Sequence, residues 1–133
     1  MLKDYRIIFE GILTEAKDAE EFVEGMSFEE FKNDKKTMKA VIRSLEIIGE
    51  AMNRIPKEYQ QKHKDISWWA WVKFRNVLIH VYHAIDLDLV WDVLKNEVPT
   101  LKKQMDRLLK NPKTSTPKAY KKSKQRTYHK VKA

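Results

Sequence analysis

The stretch M-K-A-V-I-R-S-L-E-I-I-G-E-A-M, from Met38 to Met52, decides the secondary-structure class of this chain. Its apolar residues Met38, Val41, Ile42, Leu45, Ile48, Ala51 and Met52 return at intervals of three and four. That spacing lines one face of a 3.6-residue helix and no face of a strand. Gly49 interrupts the pattern, and a glycine inside a helix costs about 1 kcal/mol relative to alanine. It is read as room for the close approach of a neighbouring helix.

Working outward, Asn33-Asp34 breaks the pattern into a short first piece carrying Phe28 and Phe31 and the long second piece. Ser27 with Glu30 three residues on makes a capping box for the short piece. Pro56 ends the long one. Upstream, Tyr5, Ile8, Phe9, Ile12, Ala16, Ala19, Phe22 and Val23 form the stripe of an amphipathic helix within Leu2 to Val23. Lys57 to Asp65 is polar and reads as a turn or short helix. Ser67 is a candidate N-cap for a helix from Trp68 to about His80, and Asp86 for another with Leu89, Val90, Val93, Leu94, Val98, Leu101, Met105 and Leu108 on its stripe. Pro99 lies within that pattern, where it lacks a donor and clashes with the carbonyl near Lys95, so a kink or a restarted helix is expected. No sustained alternation and no Asn-Gly or Asp-Gly turn argues for strands. The expectation is an all-α bundle of four main helices.

At 133 residues the chain is long enough for one core. It has no cysteine, which removes disulfides and thiolate metal sites and suits a reducing compartment. The opening residues M-L-K-D-Y-R-I mix charge into apolar positions and lack a signal-peptide core. No apolar run approaches the roughly 18 residues that span a bilayer. A cytoplasmic chain is expected.

The net charge of +8 is concentrated at one end. From Lys110 to Ala133 there are eight Lys and one Arg with no acidic residue, leaving 18 basic against 19 acidic side chains in Met1 to Leu109. Residues 1–109 are thus expected to form the helical domain, and 110–133 a basic, disordered tail that cannot bury enough apolar surface to fold alone. Tyr120 and Tyr128 lie among the tail's lysines. If the tail binds RNA, it should add salt-dependent affinity with little sequence choice.

Chemistry is concentrated in R-N-V-L-I-H-V-Y, Arg75 to Tyr82. An arginine and a histidine inside an apolar, Trp-rich segment suggest a use or a partner. Arg75 offers a permanent cation with a fork of donors for phosphate, and His80 a proton carrier near neutral pH. Asn76 and His80 are four apart and share a helix face; Arg75 and His80 differ by about 7.5 Å of rise and 140° of rotation. Two copies about a twofold axis could set two Arg and two His around one phosphodiester. His80 would take the proton of a ribose 2′-hydroxyl, a second donor would protonate the leaving 5′-oxygen, Arg75 would stabilise the phosphoryl charge and Asn76 would orient the phosphate or imidazole. RNA would be the substrate, and neither metal nor cofactor is called for.

A structural reading stands beside this one: Arg75 pairs with Glu46 or Glu50, and His80 satisfies a helix end. Glu46 and Glu50 could also be read as metal ligands with His80 and His83, but the paired Glu-x-x-His motifs of di-iron bundles are missing. Trp68, Trp69, Trp71 and Trp91 are assigned to the core or to an interface between subunits, with stacking on RNA by one exposed Trp as a secondary reading.

Four stretches in order, L-E-I-I-G-E-A (Leu45–Ala51), Ile66-Ser67-Trp68, R-N-V-L-I-H-V-Y (Arg75–Tyr82) and I-D-L-D-L-V-W (Ile85–Trp91), resemble the HepT family of HEPN-domain toxins. The resemblance covers about Leu2 to Leu109. It implies a HEPN-type helical bundle forming a homodimer, or a higher oligomer, whose R-x4-H motifs face each other in a cleft and cleave RNA without metal. It also implies a partner, the minimal nucleotidyltransferase antitoxin MntA. That enzyme would silence the toxin by attaching AMP to the tyrosine of R-x4-H-x-Y, here Tyr82. Added bulk and negative charge beside the cleft would repel RNA phosphate. The competing class is a non-catalytic HEPN module that binds a nucleotide or a partner protein.

Overall fold

A computed structural model describes residues 5–80 and 84–111, and within them the chain is helical with no strand. The helices are α1 (Tyr5–Phe22), α2 (Phe28–Lys32), α3 (Lys35–Asn53), α4 (Lys57–Lys62), α5 (Trp68–His80), α6 (Leu87–Asp92) and α7 (Val98–Lys110). A π-helical turn, Val93–Glu97, joins the last two. Residues 110–133 were expected to be a disordered tail; all but Lys110 and Asn111 lie outside the described residues.

The helix boundaries follow local chemistry. Ser27 Oγ accepts from Glu30 N–H while Glu30 Oε1 accepts from Ser27 N–H, at 3.1 and 2.9 Å, completing the capping box of α2. Asn33 closes that helix, and Asp34 starts α3 by accepting from Thr37 N–H at 3.1 Å. Asp86 caps α6 through Leu89 N–H at 3.2 Å. Pro99 falls in the first turn of α7, directly after the π-helical residues. The helix does not break before it. The wider π turn over Val93–Glu97 carries the chain through the position where the ring would otherwise strike the preceding carbonyl.

The long helices stack in the order α7, α1, α3, α5. Phe9, Ile12, Ala16 and Ala19 of α1 are fully buried, as are Val41, Leu45, Ile48 and Met52 of α3 and Val98, Leu101 and Met105 of α7. One end is closed by an aromatic group in which Phe9, Tyr59 and Trp68 meet. At another, Trp91 packs on Phe28 and Phe31, with the Lys95 ammonium over its ring at 4.7 Å. Phe22 departs from the expected stripe: it is 43% exposed at the end of α1, and Val23 takes the inward position. Helix α5 lies at the edge of the stack, packed chiefly on α3, so a strip of its surface faces outward.

Candidate functional site

Gly49 fixes the distance between α3 and α5. A β-carbon at this position would fall within contact distance of Arg75 Cβ and only 2.8 Å from the Trp71 carbonyl oxygen. The two helices therefore touch backbone to side chain, and Arg75 crosses α3 at its glycine. Its guanidinium then meets the acidic edge of α3. Nη1 donates to Asn76 Oδ1 at 2.9 Å, and Nη2 stands 4.0 Å from Glu50 Oε1. The Nε atom is buried and has no hydrogen-bond partner among the described residues.

Glu50 is shared. Arg43 Nη1 lies 3.4 Å from the same Glu50 oxygen and 3.2 Å from Glu46 Oε1. The Glu46 contact, helped by Glu50, raises the pKa of Arg43, which stays a cation. Two arginines and two carboxylates thus alternate along the α3–α5 seam. The structure takes the Glu50 branch of the pairing expected for Arg75 and gives Glu46 to Arg43. Among the described residues no three His, Asp or Glu side chains gather as a metal-ligand set.

The structure joins Arg75 and Asn76 directly but leaves His80 apart. His80 ends α5 and is exposed, with no hydrogen bond or ion pair among the described residues. It shares the outward strip of α5 with Trp69, Lys73 and Val77, whereas Arg75 is turned toward α3. Five helical steps produce that divergence. Arg75 retains donors beyond the one given to Asn76, and its side chain is 30% exposed, so a phosphate can still reach it. Tyr82, the expected modification site, lies outside the described residues, as does His83.

Trp69 stands apart from the other tryptophans. Trp68 and Trp71 are buried and Trp91 is partly buried, but Trp69 is 65% exposed. Trp69, Lys73 and His80 fall on one face of the helix, and the packing of α5 on α3 turns that face outward.

Comparison with known proteins agrees with this architecture. The family model described as "Ribonuclease HepT-like" matches residues 12–108. The chain belongs to the HepT-like ribonuclease family. It is 40% identical to a candidate RNase of Methanocaldococcus jannaschii over 109 residues, covering 82% of this chain and 90% of that protein. It is 38% identical to a candidate RNase of Caldanaerobacter subterraneus subsp. tengcongensis, covering 84% of this chain and all of the relative. A ribonuclease HepT candidate of Thermococcus cleftensis is also 38% identical, over 83% of this chain and the whole of its own length. No solved structure gives a significant match. The HepT-like assignment bears out the resemblance carried by the four sequence stretches and the all-α HEPN-type bundle. No described helix is long and apolar enough to cross a membrane.

Proposed function

We propose that this HepT-like chain is a metal-independent endoribonuclease and the toxin of a toxin–antitoxin pair in the cytoplasm. The observation that carries the reading is the setting of Arg75: a guanidinium seated over Gly49 by α3, oriented by Asn76 and Glu50, with donors left for an anion. His80, exposed at the end of the same helix, supplies a proton carrier.

Arg75 and His80 leave α5 on different sides, so the reaction calls for a second copy whose α5 completes the cleft. One His80 removes the 2′-hydroxyl proton; the 2′-oxygen attacks phosphorus and the bond to the 5′-oxygen breaks. The leaving oxygen takes a proton from the second His80, giving a 2′,3′-cyclic phosphate and a free 5′-hydroxyl. Arg75 and Asn76 hold the non-bridging oxygens as charge builds on them. Silencing comes from a cognate MntA-like nucleotidyltransferase that attaches AMP to Tyr82, two residues beyond His80.

The test is cleavage of RNA by the purified protein in EDTA. His80→Ala should abolish cleavage without changing the helical circular dichroism. Cleavage at the wild-type rate by that variant removes His80 from the mechanism. The non-catalytic alternative expects no cleavage under any condition, yet partner- and ATP-dependent AMP on the peptide containing Tyr82. That labelling should vanish in Tyr82→Phe under either reading.

A further inference from the structure

A cavity of about 590 Å³ opens between α4 and the start of α5, at the opposite end of α5 from His80. Lys57, Gln60, Gln61 and Lys64 line it from α4 and the following turn, and Trp69 and Ala70 from α5. Neither Lys57 nor Lys64 has an ion-pair partner among the described residues, and no carboxylate lines the cavity. The adjacent carboxylate, Asp65, is taken by Arg107 at 2.7 Å. The Trp69 indole is 65% exposed, the largest exposure among the big apolar side chains described.

We propose that this cavity is a subsite for a nucleotide of single-stranded RNA: a base stacks on Trp69 and its phosphates meet Lys57 and Lys64. Three features of the lining fit that ligand together. The indole offers a flat π face that accepts any base. The lysines supply charge of the sign a phosphate needs. Gln61, and the Gln60 Oε1 left over when its Nε2 donates to the Ile55 carbonyl at 2.9 Å, offer donor and acceptor groups to a base edge. The first-turn N–H groups of Trp69 and Ala70, which have no carbonyl of their own helix to bond, add further donors.

The subsite continues into the proposed active cleft. Trp69, Lys73 and His80 share the outward strip of α5, and the eleven helical steps from Trp69 to His80 span about 16 Å of rise. A strand seated at Trp69 would run past Lys73 and reach His80 a few nucleotides later. The subsite would thus favour longer single strands over dinucleotides. This inference rests on the ribonuclease reading for the identity of the strand, but its test does not require cleavage.

The experiment uses the full chain and a hexauridylate made uncleavable by 2′-O-methylation, with binding followed by anisotropy of an end label and by tryptophan fluorescence. The basic tail is common to every variant and contributes equally. Wild type should bind with quenching; Trp69→Ala should weaken binding by roughly 5- to 150-fold, the worth of one stacked base. Trp69→Phe should retain most of the affinity and lose most of the quenching. Lys57→Gln/Lys64→Gln should flatten the dependence of log affinity on log salt by roughly 1.4. Unchanged affinity in both the Trp69→Ala and the double-lysine variants overturns the subsite, whether or not the protein cleaves RNA. A loss of self-association in Trp69→Ala at unchanged RNA affinity also overturns it, by assigning the indole to a second copy. Trp69-dependent binding with no cleavage of the unmodified strand supports the subsite and counts against the ribonuclease reading instead.

Discussion

The α-carbon of Gly49 and the side chain of Arg75 occupy adjoining space with no room for a methyl group between them. Helices α3 and α5 come together on that contact, and the guanidinium is thereby delivered to Glu50 and Asn76. The glycine that weakens α3 locally is what allows the candidate phosphate-binding group to be buried at its base and open at its tip.

Gly49→Ala should therefore destabilise the protein although alanine is the better helix former. The propensity gain is about 1 kcal/mol, while forcing a methyl into Arg75 and the Trp71 carbonyl costs about 1–3 kcal/mol. A net loss of about 1 kcal/mol is expected in urea unfolding, with a larger fall in RNA cleavage because Arg75 is displaced. A variant more stable than wild type would mean that α5 yields without cost.

Arg75→Lys keeps the charge but loses the planar fork, the hydrogen bond to Asn76 and the contact with Glu50. Cleavage should fall by roughly 100-fold or more, in the range seen when one oxyanion-stabilising donor is removed. Stability should change little, since Arg43 still holds Glu46 and Glu50. Single-turnover cleavage beside a thermal melt measures both, and a lysine variant that cuts at the wild-type rate would reduce Arg75 to a general cation.

Acidification should lower stability in two stages. Burial, reinforced by the nearby Arg107 cation, lowers the pKa of His63 below 6.5. The unfolded chain therefore binds that proton first, so stability is full above about pH 6.5 and declines as pH falls through the lowered value. Asp34 is also lowered, first by accepting from the Thr37 backbone, so its contribution is present above about pH 4 and is lost as pH falls through its folded value. Melting temperature measured across pH should show both stages, and His63→Gln should remove the upper one alone. A rise in melting temperature between pH 7 and pH 6 would contradict the assignment.

Ser27→Ala removes half of the reciprocal cap on α2 and should cost about 1 kcal/mol. This cap lies outside the Arg75 seam, so cleavage per folded molecule should not change. Denaturant unfolding paired with activity at low temperature separates the two, and a matching loss of cleavage would show that α2 is coupled to the site.

Much of this molecule was decided by its amino-acid order alone. The stripes of α1, α3 and α7, the capping box at Ser27, the break at Asn33-Asp34 and the cap at Asp86 are local matters, set by helical periodicity and by which side chains can satisfy free N–H groups. The candidate chemistry of Arg75, Asn76 and His80 was legible for the same reason, since residue type and spacing lie within one helix. Tertiary packing decided the rest. Helix α5 carries Trp68, Trp69, Trp71, Val72, Val77 and Leu78 around most of its circumference, so periodicity does not say which side faces inward. Docking against Gly49 set that rotation: Arg75 was turned to α3, and Trp69 and His80 were left outside. It also divided the carboxylates, Glu46 to Arg43 and Glu50 between Arg43 and Arg75, because a charge pair depends on where two helices cross rather than on either sequence pattern.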